Sequence, residues 1–346
     1  MSERRIYLDA GYGETRGVVT LDGRPERLLV ERDDDVVSAR AGAHLVARVR
    51  KLDRASALAF LDLGDGEGVL NLGPETHGLT EGGAIEIEIR SEARRGKLAV
   101  ARFVAAAEGA PRSLAPPPTQ EQRLAAFAPG ATLMTGAVAR SMADGAHDEL
   151  FETVHALPGG GTLSIEPTRA LIAIDVDLGD RPGADAKRAS RAANFAAIAA
   201  AARLLRLKGL GGLVVIDLVG RGHDAPALLS AARNAFAPDN PGVALAAVSR
   251  FGTIELTVPR RARPALEILA DEAGEPSALT RAFGVIRALE REAASDGGGR
   301  FEALVSVDVA AAAGPALARL IERVGSRVSL TPDSGRARSA SVVRRM

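Results

Sequence analysis

Apolar residues follow a period of two in the first third of the chain. Residues 84–90 (Ala-Ile-Glu-Ile-Glu-Ile-Arg) alternate strictly, and shorter alternating segments occur at 43–49 and 58–63. Strict alternation indicates a β-strand with one buried face and one wet face. Five short strands separated by tight turns such as 64–68 (Gly-Asp-Gly-Glu-Gly) predict an OB-type barrel over residues 37–105.

From Thr162 onward, apolar strands alternate with segments of helical periodicity. The pattern predicts strands at 162–166, 171–177, 213–218, 243–249 and 252–258, a helix at about 188–208 that ends at Gly209, and a helix near 225–236. Strands joined by crossover helices are typical of an α/β sandwich, which we assign to residues 161–265. Residues 270–346 are predicted to form a small α+β domain with a helix at 277–294, a strand at 302–309 and a helix at 314–324.

The rest of the chain divides around a proline-rich segment. Residues 106–119 contain four prolines and predict a linker. Short apolar segments with turn signals over 1–36 predict a small sheet, and the partly helical segment 120–160 completes one small linking subdomain with it. The predicted fold class is therefore α/β plus β: an OB-type barrel, an α/β domain and a small α+β C-terminal domain.

Composition excludes several kinds of chemistry. The chain has no cysteine, which rules out disulfides, a thiol nucleophile, thiolate zinc sites and iron–sulfur clusters. Its 44 Lys and Arg residues balance 44 Asp and Glu residues, so any basic surface for nucleic acid must be local. The polar N-terminus and the lack of a long apolar run predict a soluble, cytoplasmic protein that does not enter a membrane.

The strongest candidate chemistry lies where two apolar strands run into acidic residues. Asp175 and Asp177 are two residues apart on one strand and therefore share a face, and Asp217 ends the next strand along the chain. Ligands of open α/β sheets gather beyond the carboxyl ends of strands. Carboxylates that converge there repel one another unless a cation lies between them, and hard oxygen ligands suit Mg²⁺, or Mn²⁺ as the alternative. A second interpretation is that these aspartates cap helices or bind loop amides.

Other catalytic motifs are absent or weak. Neither GxxxxGK[ST] nor GxSxG occurs, which disfavours P-loop nucleotide hydrolysis and serine-hydrolase chemistry. The glycines at 209–212 lie between a helix and the following strand, so they predict a helix cap and a turn rather than a phosphate loop. The five histidines lack metal-ligand spacing, and only His223 follows the Asp217 strand closely.

Two residues of the barrel are candidates for RNA binding. OB-type barrels stack bases on an exposed ring and hold phosphates with nearby cations, and Phe60 and Lys97 are of these types. Alternation alone favours core packing for Phe60 and a solvated loop for Lys97.

Three blocks of the α/β segment resemble the ribonuclease E/G family in order and spacing. They are 169–177 (Arg-Ala-Leu-Ile-Ala-Ile-Asp-Val-Asp), 202–217 (ending in Gly-Gly-Leu-Val-Val-Ile-Asp) and 248–255 (Val-Ser-Arg-Phe-Gly-Thr-Ile-Glu). The resemblance implies a deoxyribonuclease I-like α/β domain in which Asp175 and Asp217 hold Mg²⁺. It also implies that residue 177 orients Asp175.

The barrel is similar to the RNA-binding OB module of the same family. By that resemblance Phe60 lines a pocket for a base, Lys97 in the 95–97 turn (Arg-Gly-Lys) contacts RNA, and Arg250 in the third block is a further RNA contact. The C-terminal unit is similar to the family's small domain, and residues 1–36 with 120–160 correspond to a reduced ribonuclease H-like subdomain.

The sequence also departs from the family pattern. Residue 177 is usually Asn and is Asp here, Arg169 stands where an acid is expected, and Val69 replaces a second aromatic of the base pocket. Residues 104–160 are too few to hold the family's sensor of a 5′-monophosphate, and the cysteine pair of its intersubunit zinc link is missing. An oligomer would therefore not use a zinc link, and no zinc is expected.

These observations predict a Mg²⁺-dependent endoribonuclease that hydrolyses phosphodiester bonds in single-stranded RNA. One alternative is an RNA-binding protein of the same family with weakened catalysis. The zero net charge, Asp177 and a loop after Asp217 that has lost much of the family's basic character favour it. Another is a phosphatase of the haloacid-dehalogenase type with Asp175 as nucleophile, which leaves the barrel unexplained. The basic C-terminal residues Arg336, Arg338, Arg344 and Arg345 are interpreted as a solvated tail rather than an RNA contact.

Overall fold

A small antiparallel sheet begins the chain. The computed structural model describes residues 3–94, 96–179, 185–260 and 262–346. The first three strands are β1 (Arg4–Ala10), β2 (Glu14–Leu21) and β3 (Arg24–Arg32). Asp22 and Gly23 join β2 to β3 with φ values of 50° and 79°, the left-handed pair that a two-residue hairpin requires. The small N-terminal sheet predicted from the sequence is therefore present.

The next six strands include a closed five-stranded barrel. They are β4 (His44–Asp53), β5 (Leu58–Asp62), β6 (Glu67–Asn71), β7 (Ala84–Ser91), β8 (Ala99–Ala107) and β9 (Arg112–Ala115). Strand β4 pairs with both β5 and β7 and so closes a five-stranded barrel in the order β4-β5-β6-β8-β7. The alternation predicted for β7 is confirmed, because Ile85, Ile87 and Ile89 are each at most 2% exposed. Strand β9, which the predicted linker contains, adds to β4 outside the barrel.

Two helices follow and cover the N-terminal sheet. They are α1 (Gln120–Phe127) and α2 (Ala137–Phe151), with the short strand β10 (Leu133–Met134) between them and parallel to β1. Helix α1 begins in a capping box, since Thr119 and Gln122 each accept a hydrogen bond from the other's backbone amide. Leu124 of α1 is fully buried against the side chains of Val19 and Leu29.

The α/β part contains one six-stranded mixed sheet. Its elements are β11 (Val154–Ala156), β12 (Thr162–Pro167), β13 (Ile172–Asp177), α3 (Ala186–Lys208), β14 (Gly212–Asp217), α4 (Ala225–Ala235), β15 (Ala244–Leu245) and β16 (Thr253–Val258). The strand order is β11-β12-β13-β14-β16-β15, and β13 and β14 form its parallel pair. Helix α3 ends at Gly209, whose φ of 67° is left-handed, as predicted. The predicted strand 243–249 is wrong in length, because Ala246 to Gly252 instead form a loop that leads into β16.

Within the described residues, the sheet is covered on one face only. Ile174 of β13 and Ile216 of β14 point into a core that also contains Ala197 and Ala201 of α3. The other side of α3 packs on β3, so this helix lies between two sheets and is apolar around most of its circumference. The alternate positions of β13 and β14, among them Asp175 and Asp217, face outward and are exposed.

The C-terminal end of α3 carries three buried cations. Arg203 binds Glu149 of α2 at 2.6 Å, and Arg206 binds Glu26 of β3 at 2.9 Å and Asp239 at 2.7 Å. The Lys208 ammonium donates to the carbonyl oxygens of Leu150 and Glu152, each at 2.6 Å, at the end of α2. These bonds join α2 and β3 to the helix that supports the α/β sheet.

A short helix and a small α+β unit complete the chain. The elements are α5 (Ala265–Leu269), α6 (Ala278–Ser295), β17 (Phe301–Val305), α7 (Val307–Val324), β18 (Val328–Pro332) and β19 (Val342–Arg345). The predicted strand 302–309 is too long, because Ser306 is the N-cap residue of α7 and Asp308 binds its hydroxyl at 2.6 Å. The helix therefore begins well before the predicted position 314.

The basic C-terminus is not a solvated tail, which corrects the interpretation made from sequence. Strand β19 pairs with β17, and Arg344 binds Glu302 at 2.7 Å. Arg338 bridges Asp271 and Asp308, while Arg336 and Arg345 pair with Asp333 and Asp296. Each of these arginines is thus paired within the fold. Among the helices described, none is both long and apolar enough to cross a bilayer.

Candidate active site and RNA-binding surfaces

Asp175 and Asp217 are direct neighbours on the two parallel strands of the sheet. They form the last registered pair between β13 and β14, and adjacent strands lie about 4.8 Å apart. Buried Ile174 and Ile216 precede them, so both aspartates face the uncovered side of the sheet. The predicted meeting of these two residues at the carboxyl ends of neighbouring strands is therefore present in the fold.

Neither carboxylate is neutralised by the residues around it. Within the described ranges, Asp175 and Asp217 have no hydrogen bond to their side chains and no ion pair. No group of three or more His, Asp or Glu side chains that could hold a metal was found in the same ranges. Two carboxylates are the set that Mg²⁺ often takes from a protein, because water and substrate phosphate fill its other positions. The donor set thus fits Mg²⁺ and does not form an all-protein metal cage.

Hydroxyl groups flank the acid pair in the same row of the sheet. Ser164 of β12 lies opposite Asp175, and Thr253 of β16 lies opposite Asp217. The Thr253 hydroxyl lies 2.8 Å from that of Ser249. Neither Ser164 nor Thr253 was singled out from sequence, because their position in this row depends on strand pairing.

Asp177 lies two residues beyond Asp175 on the same face but has a different partner. Its carboxylate accepts a hydrogen bond from the backbone amide of Gly179 at 3.0 Å. This is the kind of loop-amide contact that the sequence left open as an alternative for the aspartates. The orientation of Asp175 by Asp177 stays a prediction.

A tight turn next to Asp217 presents Arg250 and Phe251. The carbonyl of Gly252 accepts the amide of Leu218, the residue after Asp217, at 3.0 Å. The Ser249 hydroxyl accepts the amides of Phe251 and Thr253 at 3.2 and 3.1 Å. Gly252 has a φ of 90°, and a Cβ there would lie 3.0 Å from His223 Nε2. Hydrogen bonds and the close packing of His223 therefore fix the conformation of this turn.

Phe251 is a candidate that the sequence analysis did not assign. Its side chain is 77% exposed, and the guanidinium of Arg250 lies 4.7 Å from the centroid of its ring. The scarcity of aromatic residues in the chain was the available signal. Alternation gave no information on this ring, because Phe251 lies in the connection between the predicted strands 243–249 and 252–258.

A small basic pocket lies beyond the end of β14. It has a volume of about 150 Å³, and its lining includes Lys187, Arg221, His223 and the ion pair between Arg191 and Asp224. Asn194 of α3 holds the loop by two hydrogen bonds of 3.0 Å to the backbone of Val219. Although the chain has no net charge, positive charge is thus concentrated next to the acid pair's strand.

The barrel places Phe60 on its outer surface. Its neighbours in β5, Ala59 and Leu61, point into the barrel core, whereas Phe60 is half-buried and pairs across the strands with Lys51 and Val69. Val69, the residue in place of a second aromatic, therefore lies directly opposite Phe60. This geometry does not favour the core-packing interpretation of Phe60.

Lys97 lies in a turn at the start of β8. Its amide and carbonyl bond to those of Arg94, at 2.8 and 3.0 Å, and its side chain is exposed. Arg95 of the same turn lies outside the described residues. The roles of Phe60, Lys97 and Arg250 in RNA binding stay predictions.

Comparison with known proteins identifies the α/β part. A model of the Ribonuclease E/G family matches residues 135–261, which include the whole six-stranded sheet and both strand-end aspartates. A search of curated proteins found no match to the chain. The resemblance inferred from the three sequence blocks is confirmed for residues 135–261, which match the ribonuclease E/G family.

Proposed function

We propose that this protein is a metal-dependent endoribonuclease that hydrolyses phosphodiester bonds in single-stranded RNA. The observation that carries the proposal is the pair Asp175 and Asp217, in register at the carboxyl ends of parallel strands and without an ion pair among the described residues. The pair lies within the segment that matches the ribonuclease E/G family. As part of the same proposal, the α/β domain has a deoxyribonuclease I-like fold.

The two carboxylates would hold one divalent cation, Mg²⁺ or alternatively Mn²⁺. When bound, such a cation polarises the scissile phosphate and lowers the pKa of a bound water. Asp175 and Asp217 fix its place, and their mutual repulsion makes the site favourable for positive charge. Asp177 would act as a positioning residue that orients Asp175, and its own carboxylate is fixed by the Gly179 amide at 3.0 Å.

The substrate would be held by the barrel and by the edge of the sheet. On the outer surface of the barrel, an unpaired base would stack on the aromatic ring of Phe60. The exposed Lys97 side chain would bind a phosphate. Arg250, in the turn next to Asp217, would contact a phosphate near the scissile bond. Stacking on rings requires splayed bases, which favours single-stranded over double-stranded RNA.

Cleavage of a labelled single-stranded oligonucleotide tests the proposal. The purified chain should cut it with Mg²⁺ or Mn²⁺ and not with a chelator, and Asp217→Asn should abolish cutting while RNA binding stays close to wild type. Glu166→Gln is the matched control. Glu166 is exposed on the same face of the sheet, but its registered partner is Ala173 and not a member of the acid pair. If Asp217→Asn cuts as fast as wild type, Asp217 has no part in the reaction.

A second candidate is an RNA-binding protein whose catalysis is weak. It is favoured by the carboxylate at position 177, which adds negative charge beside the acid pair. RNA binding without cleavage under both metals would support this candidate. Increased cleavage by Asp177→Asn would instead show that the extra negative charge limits a working nuclease.

A further inference from the structure

The exposed ring of Phe251 has no structural role in the core. Its exposed fraction of 77% is the highest among the exposed large apolar side chains of the described residues. An isolated exposed apolar residue needs no explanation by itself. An exposed ring on a rigid turn beside the acid pair, however, does need an explanation.

The turn holds Phe251 at a defined place beside Asp217. Thr253 is the registered partner of Asp217, and Phe251 comes two residues earlier. The Ser249 hydroxyl binds the amide of Phe251, and Gly252 is bonded to Leu218 and closely packed against His223. A Cβ at residue 252 would meet the His223 ring and require a left-handed backbone, so the close packing depends on glycine.

One face of the ring is already occupied. The Arg250 guanidinium lies 4.7 Å from the ring centroid, a distance typical of a cation–π contact. The high exposure of Phe251 shows that much of the ring stays open to solvent. A planar, apolar group with an adjoining negative charge would fit here. The group would stack on the ring, and the guanidinium would bind the negative charge.

We propose that Phe251 is a stacking platform for an unpaired nucleobase next to the scissile phosphate, with Arg250 binding the phosphate of the same nucleotide. This inference rests on the proposed ribonuclease function and adds a second base-binding position, separate from Phe60 on the barrel. The basic pocket with Lys187 and Arg221 lies beyond the same strand end and would receive the following phosphate. The acid pair would thus act on a strand that Phe251 holds from one side.

The substitution Phe251→Trp reports the stacking directly. The chain contains no Trp, so this variant carries a single indole fluorophore. In an Asp217→Asn background and with a chelator present, single-stranded oligoadenylate should quench its fluorescence. An abasic oligomer of equal length and charge should not. The matched control is Phe127→Trp, because Phe127 also lies under an arginine, Arg27 at 4.1 Å, but is in helix α1.

Binding measurements then separate stacking from simple apolar contact. Phe251→Ala and Phe251→Leu should each weaken oligoadenylate binding by roughly 5-fold or more, the fold-change that the loss of one base–aromatic stack produces. Phe251→Tyr should keep wild-type affinity. Thermal unfolding of each variant checks the fold, which an exposed position should not disturb.

The outcomes distinguish this inference from the function on which it rests. Oligoadenylate binding, seen by anisotropy of a labelled strand, without any change in the indole fluorescence of Phe251→Trp would overturn the stacking role. Wild-type affinity in Phe251→Leu, or a changed oligomeric state in Phe251→Ala with normal RNA binding, would overturn it as well. Quenching in a protein that never cleaves RNA would leave the stacking role in place and remove the nuclease proposal.

Discussion

Replacing Asp217 by Asn should remove most of the stabilisation that Mg²⁺ gives to the protein. Asp175 and Asp217 are registered partners on strands about 4.8 Å apart. At that separation two like charges repel by about 1 kcal/mol in water and about 3.5 kcal/mol at an effective dielectric constant of about 20. Because both side chains are exposed, we expect a value near the lower limit. Without metal, Asp217→Asn should therefore be more stable than wild type by up to about 1 kcal/mol.

Mg²⁺ should make wild type more stable to unfolding than Asp217→Asn. A ligand that binds only the folded state at about 100 times its Kd adds about 2.7 kcal/mol to the free energy of unfolding. Wild type should gain this amount, and Asp217→Asn should gain little because one of two ligands is neutral. Thermal unfolding across a Mg²⁺ titration measures both effects, with Glu166→Gln as the control that should follow wild type. Equal stabilisation of Asp217→Asn and wild type by Mg²⁺ would refute the reasoning.

Three further predictions concern the barrel and the buried basic groups. Phe60→Ala should weaken binding of single-stranded RNA by ~1–3 kcal/mol in a fluorescence anisotropy titration, because a stacking surface is lost; unchanged affinity would exclude Phe60 from the interface. Lys208→Met should lower the free energy of unfolding in urea by about 2–4 kcal/mol, because the carbonyl oxygens of Leu150 and Glu152 lose a charged donor; a loss below about 0.5 kcal/mol would contradict this. Burial, together with the charge of nearby Lys208, lowers the pKa of His155 from 6.5 to about 4. The unfolded chain then takes up its proton first, so the folded state should lose about 2 kcal/mol as the pH falls from about 6.5 to about 4, after allowance for solvent screening. Unfolding at several pH values should show a smaller loss for His155→Gln than for wild type, and equal losses would show that other groups are responsible.

Local patterns were sufficient to predict most of the strands and helices. The strict alternation of residues 84–90 indicated which side chains enter the barrel, and burial of Ile85, Ile87 and Ile89 confirms it. The apolar strands that end in Asp175 and Asp217 were also visible in the sequence, because each acid follows a run of apolar residues rich in Ile and Val. The in-register pairing of the two acids needed the parallel strand topology, which a βαβ pattern implies.

The remaining features depend on contacts between distant residues. Strand β19 forms because β17 offers an edge, and nothing local to the basic C-terminus indicates this pairing. Ser306 ends β17 early because it is an N-cap residue, a signal that competes with apolar runs on both sides. Ser164, Thr253 and Phe251 join the candidate site through strand register and turn geometry. Their residue types alone carry no such information.

The three cations at the end of α3 have a consequence for how the protein can be divided. The family match covers residues 135–261, but Arg206 of α3 has its partner Glu26 in the N-terminal sheet, outside that segment. In an excised fragment of 135–261, one apolar side of α3 would be exposed to solvent. The Arg206 guanidinium would also lose its carboxylate partner Glu26. We therefore expect the N-terminal sheet to be a folding requirement of the acid-bearing sheet. By this reasoning, the segment that matches the ribonuclease E/G family should be too small to fold by itself.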